Sequence, residues 1–360
     1  MNDDTRPELS SALTAEPHES VTGSATADDG LWAGVWKQFR RNRIALVGYY
    51  VVLVLLFTAV FADFLANDKP LYLSYKGNTY LPVLRSYLVD LGVKSWPAEL
   101  LNVDYKKLEG AVAIFPPVPY RQTNVDLFAP LEPPSARHWL GTDKLGRDVM
   151  AGMIHGSRIS LSIGFVAVGI AVIIGVILGA LAGYFGSWID MAVSRLFEIM
   201  LSIPTFFLLI TVAAIFRPSI FMTMIIIGLT SWVGIARFTR SEFLRIRNLD
   251  YVTAAISVGV SSRKIMFQHI LPNALAPVIV SVVLGIAGAI LVESSLSFLG
   301  IGVPAELVTW GSILNEASGA TFAWWLAVFP GFAIFITVLA YYLAGEGLRE
   351  VLDPRLRALR

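Results

Sequence analysis

Long apolar runs separated by short polar interruptions make up most of this chain. Six runs, at residues 44–65, 159–184, 192–216, 219–238, 274–296 and 322–343, reach the roughly 20 residues a helix needs to cross about 30 Å of hydrocarbon. Backbone N–H and C=O groups find no water in lipid, so each run is predicted to be a helix that satisfies its own polar groups. Two stretches break the rhythm. Residues 67–158 hold nine of the 18 prolines and a scatter of aromatics, including Tyr72, Tyr75, Tyr80, Trp96, Tyr120 and Trp139. That mixture predicts a small compact lobe of extended segments and turns. A packed insertion that only stabilises and a cap over a pore or an outside partner fit it equally well.

The second interruption, residues 249–273, has internal order. Tyr251, Ala254, Ala255 and Val258 recur at i, i+3, i+4 and i+7 and so share one helical face. Gly259 is predicted to end that helix, Ser261 and Ser262 to cap a second short one, and Pro272 to stop it. A structured two-helix element between spans points to a partner in the water.

Charge sets the orientation. Lys37, Arg40, Arg41 and Arg43 precede the first run; Arg237, Arg240, Arg245, Arg247, Arg263 and Lys264 lie between the fourth and fifth; Arg349, Arg355, Arg357 and Arg360 follow the sixth. Of the short loops opposite, one carries only Arg217 and the other no Lys or Arg between Ser297 and Thr321. The positive-inside rule therefore places both ends and the 249–273 element in the cytoplasm and the 67–158 lobe outside. Residues 1–30, acidic and free of aromatics apart from His18, are expected to be a disordered cytoplasmic tail. In residues 31–43, Leu31, Trp32, Val35, Trp36 and Phe39 form an apolar stripe opposite Lys37, Arg40 and Arg41, the pattern of an interfacial helix. The expected organisation is that tail, the interfacial helix, a first span at 44–66, the lobe, a transmembrane core at 159–345 with its cytoplasmic loop at 239–273, and a C-terminal tail at 346–360.

Composition narrows the chemistry. Of 360 residues 55% are hydrophobic and 15% charged, against about a quarter charged in soluble domains, so the bilayer is the expected solvent. A net charge of +1 gives no concentrated basic face for nucleic acid. There is no Cys, and His18, His138, His155 and His269 show no metal-ligand spacing. No Gly is followed by Lys, so the chain lacks a phosphate-binding GxxxxGK[ST] loop. Neither Ser/His nor paired-Asp catalytic constellations stand out; no enzymatic role is expected.

What remains are features of a pathway. Gly175, Gly179 and Gly183 in the second run form overlapping small-xxx-small patterns, and Gly285 and Gly288 lie in the fifth; such glycines let helices approach closely, within one chain or between two. Glu293 follows a long uncharged run, as a carboxylate facing either a pathway or a structural hydrogen bond. Glu198 has Arg195 within helical reach. Pro204, in the third run, is a candidate for lining a gated path because it frees a helical carbonyl.

The 249–273 element resembles the "EAA" loop of permease subunits of ABC importers, with Thr253-Ala254-Ala255, Gly259 and Ile270-Leu271-Pro272-Asn273 in the matching places. Further stretches resemble the C-type subunit of oligopeptide/dipeptide importers: Gly141-Thr142-Asp143-Lys144-Leu145-Gly146-Arg147-Asp148-Val149 with Gly156-Ser157-Arg158-Ile159-Ser160-Leu161, then Glu293-Ser294-Ser295-Leu296-Ser297-Phe298-Leu299-Gly300, and Gly345-Glu346-Gly347-Leu348-Arg349 with Leu352-Asp353-Pro354-Arg355-Leu356. The YKGNTYLPVL and PPVPY segments are similar to a long-loop subgroup that includes microcin-type peptide importers. Together they cover nearly everything after residue 31. The resemblance implies an all-α polytopic protein with six transmembrane helices in the type I importer permease fold. It implies a second permease subunit, two ATPase subunits that carry the ATP and Mg, and an external substrate-binding protein. It also implies that Tyr251, Thr253, Ala254, Ala255, Gly259, Ser261, Arg263, Lys264, Leu271 and Pro272 form the surface that couples to an ATPase. Thr253 stands where the family has an acidic residue. The rival readings are a stand-alone secondary transporter or channel, which needs paired intramembrane charges or half-helix repeats, and a membrane-embedded enzyme.

Overall fold

The computed structural model describes residues 31–352 except 102, 217 and 305. The acidic tail, Arg217, the ending from Asp353 to Leu356, Arg357 and Arg360 lie outside the described residues, as do the side chains of Leu31 and Trp32. A short α1 (Leu31–Phe39) leads into α2 (Arg43–Val60), whose first N–H groups are capped by Asn42: its Oδ1 accepts from Ile44 and Ala45. The one-turn α3 (Ala62–Leu65) follows and opens into the lobe. The remaining long helices are α5 (Val149–Phe185), α8 (Ile220–Arg247), α11 (Leu271–Phe298) and α13 (Trp325–Leu352), with α4 in the lobe (Pro82–Asp90).

Two predicted spans change. The third is not one helix but a pair, α6 (Ser187–Ser202) and α7 (Thr205–Ile215), bent by 80°. The cause is Pro204, whose ring drives the preceding residue out of the helical region; Ile203 is extended at φ −96°, ψ 121°. Five described helices are long and apolar enough to cross a membrane, and the number is six when the bent pair is counted as one span. The second span begins earlier than expected, at Val149, because Asp148 caps it by accepting from Ala151 N at 2.8 Å. Its opening turns therefore belong to helix and not to the lobe.

Glycines set the packing. A Cβ on Gly175 would lie 2.9 Å from Ile235 Cβ, and one on Gly183 would lie 2.6 Å from Phe243 Cβ and 2.7 Å from Arg240 O; Gly179 faces Ala236 and Thr239. These pairs rise together along both chains, so α5 and α8 run parallel at near backbone contact. Gly164 meets Ile290 of α11, and Gly48 of α2 meets Ala340 and Leu343 of α13. Phe39 of α1 is buried with Ala45 and Val351, so α1 lends this part of its apolar stripe to the bundle.

The lobe adds strands to the helical fold. Strands β1 (Tyr72–Tyr75), β2 (Asn78–Tyr80) and β3 (Val112–Ile114) form an antiparallel sheet in the order β2-β1-β3. Lys76 and Gly77 join the first two, both at positive φ (52° and 76°), the two-residue turn whose twist suits a hairpin. Leu73, Leu100 and Tyr105 form its core. At the base, Arg158 of α5 donates to the Ala59 carbonyl at 2.8 Å and pairs with Asp63 at 2.8 Å, and His155 Nε2 lies 2.7 Å from the Ala66 carbonyl. The lobe is thus pinned to the ends of α2 and α5.

Candidate functional site

At the opposite end of α5 lies the 249–273 element. Helix α9 (Asp250–Ser257) is held from below by Val252, fully buried against Tyr184, Phe243, Ile246, Ile265 and Ile270. Its end is a Schellman turn: Gly259 N–H donates to Ile256 O at 3.0 Å and Val260 N–H to Ala255 O at 3.1 Å, with Gly259 at φ 80°. A Cβ there would touch nothing within 4 Å, so conformation, not space, selects glycine.

Beyond the turn, Ser261 occupies the N-cap position of α10 (Ser262–Lys264) but its side chain makes no capping bond, and Ser261, Arg263 and Lys264 are exposed. The chain then makes a π-turn over Ile265–Ile270 and passes into α11 without a break. Pro272 does not stop a helix, as the sequence predicts it would; it sits at the start of α11 directly after the π-turn, inside a continuous helical run. The wider π-turn leaves room for it, and Asn273 Nδ2 takes up the His269 carbonyl at 2.8 Å. Leu271 is half-buried, packed beside the α9 base. Tyr251 OH lies 3.4 Å from that same His269 carbonyl and 3.3 Å from Asn273 Nδ2, tying α9 to the root of α11.

The predicted face of α9 points away from the protein. Tyr251, Ala254 and Val258 are exposed, Val258 at 80%, and Ala255 is half-buried. Thr253 is exposed with its hydroxyl turned back to the Leu249 carbonyl at 3.2 Å. The element therefore presents an apolar, shallow, outward helix on a packed root.

Residues 175–358 match the family described as the binding-protein-dependent transport system inner membrane component, and residues 30–82 match the N-terminal TM domain of oligopeptide transport permease C. The chain belongs to this permease family. It is 33% identical over 347 residues to the dipeptide transport system permease protein DppC of Alkalihalophilus pseudofirmus, covering 96% of this chain and 97% of that one. It is 34% identical to the peptidoglycan transport system permease protein YejE of Agrobacterium fabrum (89% and 92% covered) and 31% identical to the oligopeptide transport system permease protein OppC of Bacillus subtilis (91% and 90%). The helical architecture with five or six apolar spans is that of a type I importer permease.

Other predicted site residues of the permease fall elsewhere. Glu293 faces no open path in this conformation: it is fully buried in α11, where Ser297 Oγ donates to it at 2.8 Å and Ser294 Oγ stands at 3.4 Å. Pro204 sits exposed at the α6–α7 bend. Gly175, Gly179 and Gly183 are used inside the chain, against α8; a Cβ on Gly285 would lie 3.5 Å from Val168, and Gly288 is exposed, with nothing within 4 Å of an added Cβ. Arg195 and Glu198 form an exposed pair at 2.5 Å.

The Gly141–Asp148 motif turns out to be a clasp. Asp143 Oδ1 accepts from Leu145 N and Arg147 N, each at 2.8 Å, and Arg147 reaches Glu316 at 2.8 Å on α12 (Trp310–Ala317). Burial pushes the Glu316 carboxyl up from its ordinary value, with Asp143 adding to it and Arg147 and Lys144 opposing. Two arrangements escape sequence reasoning, one because it joins distant segments and one because it depends on how a short loop folds back. One is the Arg240–Asp190 pair between α8 and α6; the other is buried His138 with Nδ1 2.7 Å from Asp148. Among the described residues no cluster of His, Asp or Glu could hold a metal.

Proposed function

We propose that the permease carries peptides across the cytoplasmic membrane as one of two transmembrane subunits of an ABC importer. Two separate ATPases bind ATP and Mg, and an external binding protein delivers the substrate. The observation that carries this reading is the outward face of α9, Tyr251, Ala254, Ala255 and Val258, mounted on a root continuous with α11. Peptides as the cargo follow the names of the relatives, two for dipeptides and oligopeptides and one for peptidoglycan. The basic residues around α9, with Lys37 to Arg43, support cytoplasmic termini and an external lobe. In this scheme Thr253, Ser261, Arg263, Lys264, Leu271 and Pro272 complete the contact with an ATPase, Glu293 braces the fifth span, and exposed Gly288 is available to the second permease. ATP-driven closure of the ATPases moves α9, and the movement reaches α5, α8 and α11 through Val252 and Tyr251; such a switch needs two global states that ligands bias differently.

The test is co-purification in mild detergent followed by reconstitution in liposomes. Two ATPases and a second permease should travel with the chain, and peptide uptake should require ATP and the binding protein. Ion-driven uptake by this chain alone would overturn the reading in favour of a secondary transporter.

A further inference from the structure

The lobe contains a cavity of about 730 Å³, within the size range of small-molecule sites. Its wall carries charges of both signs, and several are committed: Lys107 pairs with Asp104 at 3.4 Å and Arg137 with Asp126 at 3.1 Å. Others are not. Lys106 Nζ lies 4.1 Å above the Tyr120 ring and, among the described residues, has no carboxylate at ion-pair distance; Lys69 Nζ, 4.4 Å above the Trp96 ring, has none either but donates to Ser86 Oγ at 2.9 Å. Asp68 Oδ1 is buried without a hydrogen-bond partner, and so is Nε2 of His138, a residue only 2% exposed. A second cavity of about 300 Å³ shares Lys69 and Trp96.

Buried polar atoms in native proteins have partners, and those that lack one call for an explanation. Here one carboxylate oxygen and one imidazole nitrogen lack partners, and the Lys106 ammonium rests on an aromatic ring, all in residues around a single cavity. Burial draws the pKa of Lys69 and of Lys106 below the usual lysine value, against the pull of Asp68. An anion in the cavity would relieve the lysines, and a cation would relieve Asp68.

We infer that this cavity binds a short peptide by both free ends, with the ligand ammonium on Asp68 and its carboxylate on Lys106. His138 Nδ1 is held by Asp148, the N-cap of α5, so the cavity wall includes a residue anchored to a transmembrane helix. The choice of a peptide among zwitterions rests on the import reading. The site itself needs neither ATP nor partner subunits.

The experiment is calorimetric titration of the full-length chain in lipid nanodiscs with trialanine, N-acetyl-trialanine, trialanine amide and alanine. Trialanine should bind saturably, and each blocked form should bind about tenfold more weakly, the size of one charge-assisted hydrogen bond. Asp68→Asn should weaken trialanine but leave N-acetyl-trialanine unchanged; Lys106→Gln should weaken trialanine but leave the amide unchanged. Opposite selectivities of this kind cannot come from a damaged lobe. No saturable binding, equal binding of the blocked peptides, or either variant binding trialanine like the parent overturns the site. Alanine binding as tightly as trialanine overturns the peptide assignment. Because ATP-driven uptake is a separate measurement, failure here leaves the import reading standing, and failure of uptake leaves the binding result intact.

Discussion

Substituting Gly259 separates a conformational requirement from a steric one. With φ at 80° and nothing within 4 Å of a Cβ, a side chain costs only the left-handed penalty, about 1–2 kcal/mol for an ordinary L residue. That is a factor of about 5–30 in the population of the turn. The Schellman bonds from Gly259 and Val260, at 3.0 and 3.1 Å, are what that population holds in place. Asparagine and aspartate tolerate the left-handed region better than alanine, and β-branched valine tolerates it worst. In the reconstituted importer, peptide uptake per ATP hydrolysed should therefore fall in the order Gly, Asn, Ala, Val. Gly259→Asp should insert and assemble normally yet lose part of its coupling. Uptake and ATPase activity are measured together in proteoliposomes, with thermal unfolding of each variant as a control for assembly. If the residue were small to fit a groove on a partner, asparagine would be worse than alanine. That order, or unchanged coupling in the valine variant, would refute the reasoning.

Gly183→Ala should destabilise the chain by about 1–3 kcal/mol, the usual cost of overpacking, because its Cβ would press on Phe243 and the Arg240 carbonyl; thermal unfolding in detergent reads it. Gly288→Ala, with nothing in reach, should stay within about 0.5 kcal/mol of the parent but weaken co-purification of a second permease. Glu293→Gln should keep the fold, whereas Glu293→Leu leaves the Ser297 hydroxyl without its acceptor and should cost about 1–3 kcal/mol. Burial alone would raise the Asp63 pKa, but hydrogen bonds from Tyr87 and Arg158 outweigh it and hold it below the ordinary 3.8. A depressed pKa contributes stability above the unfolded value that is lost as pH falls through the folded one. Asp63→Asn should therefore unfold at lower temperature than the parent at pH 7, and the gap should close as the pH drops below 3.8.

The apolar runs foretold the number of spans because lipid leaves the backbone one choice, and Tyr251, Ala254, Ala255 and Val258 marked a real helical face because period 3.6 survives any tertiary context. Gly259 was legible for the same reason: a left-handed turn leaves a glycine in the sequence. Pro204 and Pro272 show where local rules fall short. Pro204 reads as a freed carbonyl within a span and Pro272 as a helix stop; the first breaks a span by 80° and the second lies inside a continuous helical run, with a π-turn ahead of the ring. The clasp of Arg147 with Glu316 and the pairing of His138 with Asp148 were only partly visible or invisible. The first depends on which segments the bundle brings together, and the second on the path of one short loop; neither follows from a periodic pattern.

The π-turn that joins the α9 base to α11 has a mechanical consequence. From Ser262 to Phe298 the chain forms one uninterrupted rod about 55 Å long at 1.5 Å per residue. A tilt of about 10° at the Ser262 end would swing the far end by about 10 Å on that rise. The far end carries Glu293 and the Ser297 hydroxyl, beside the Gly302 loop and α12. The rod is therefore a lever: a small push on one side of the bilayer becomes a large displacement on the other, with the extra residue of the π-turn as slack at its foot.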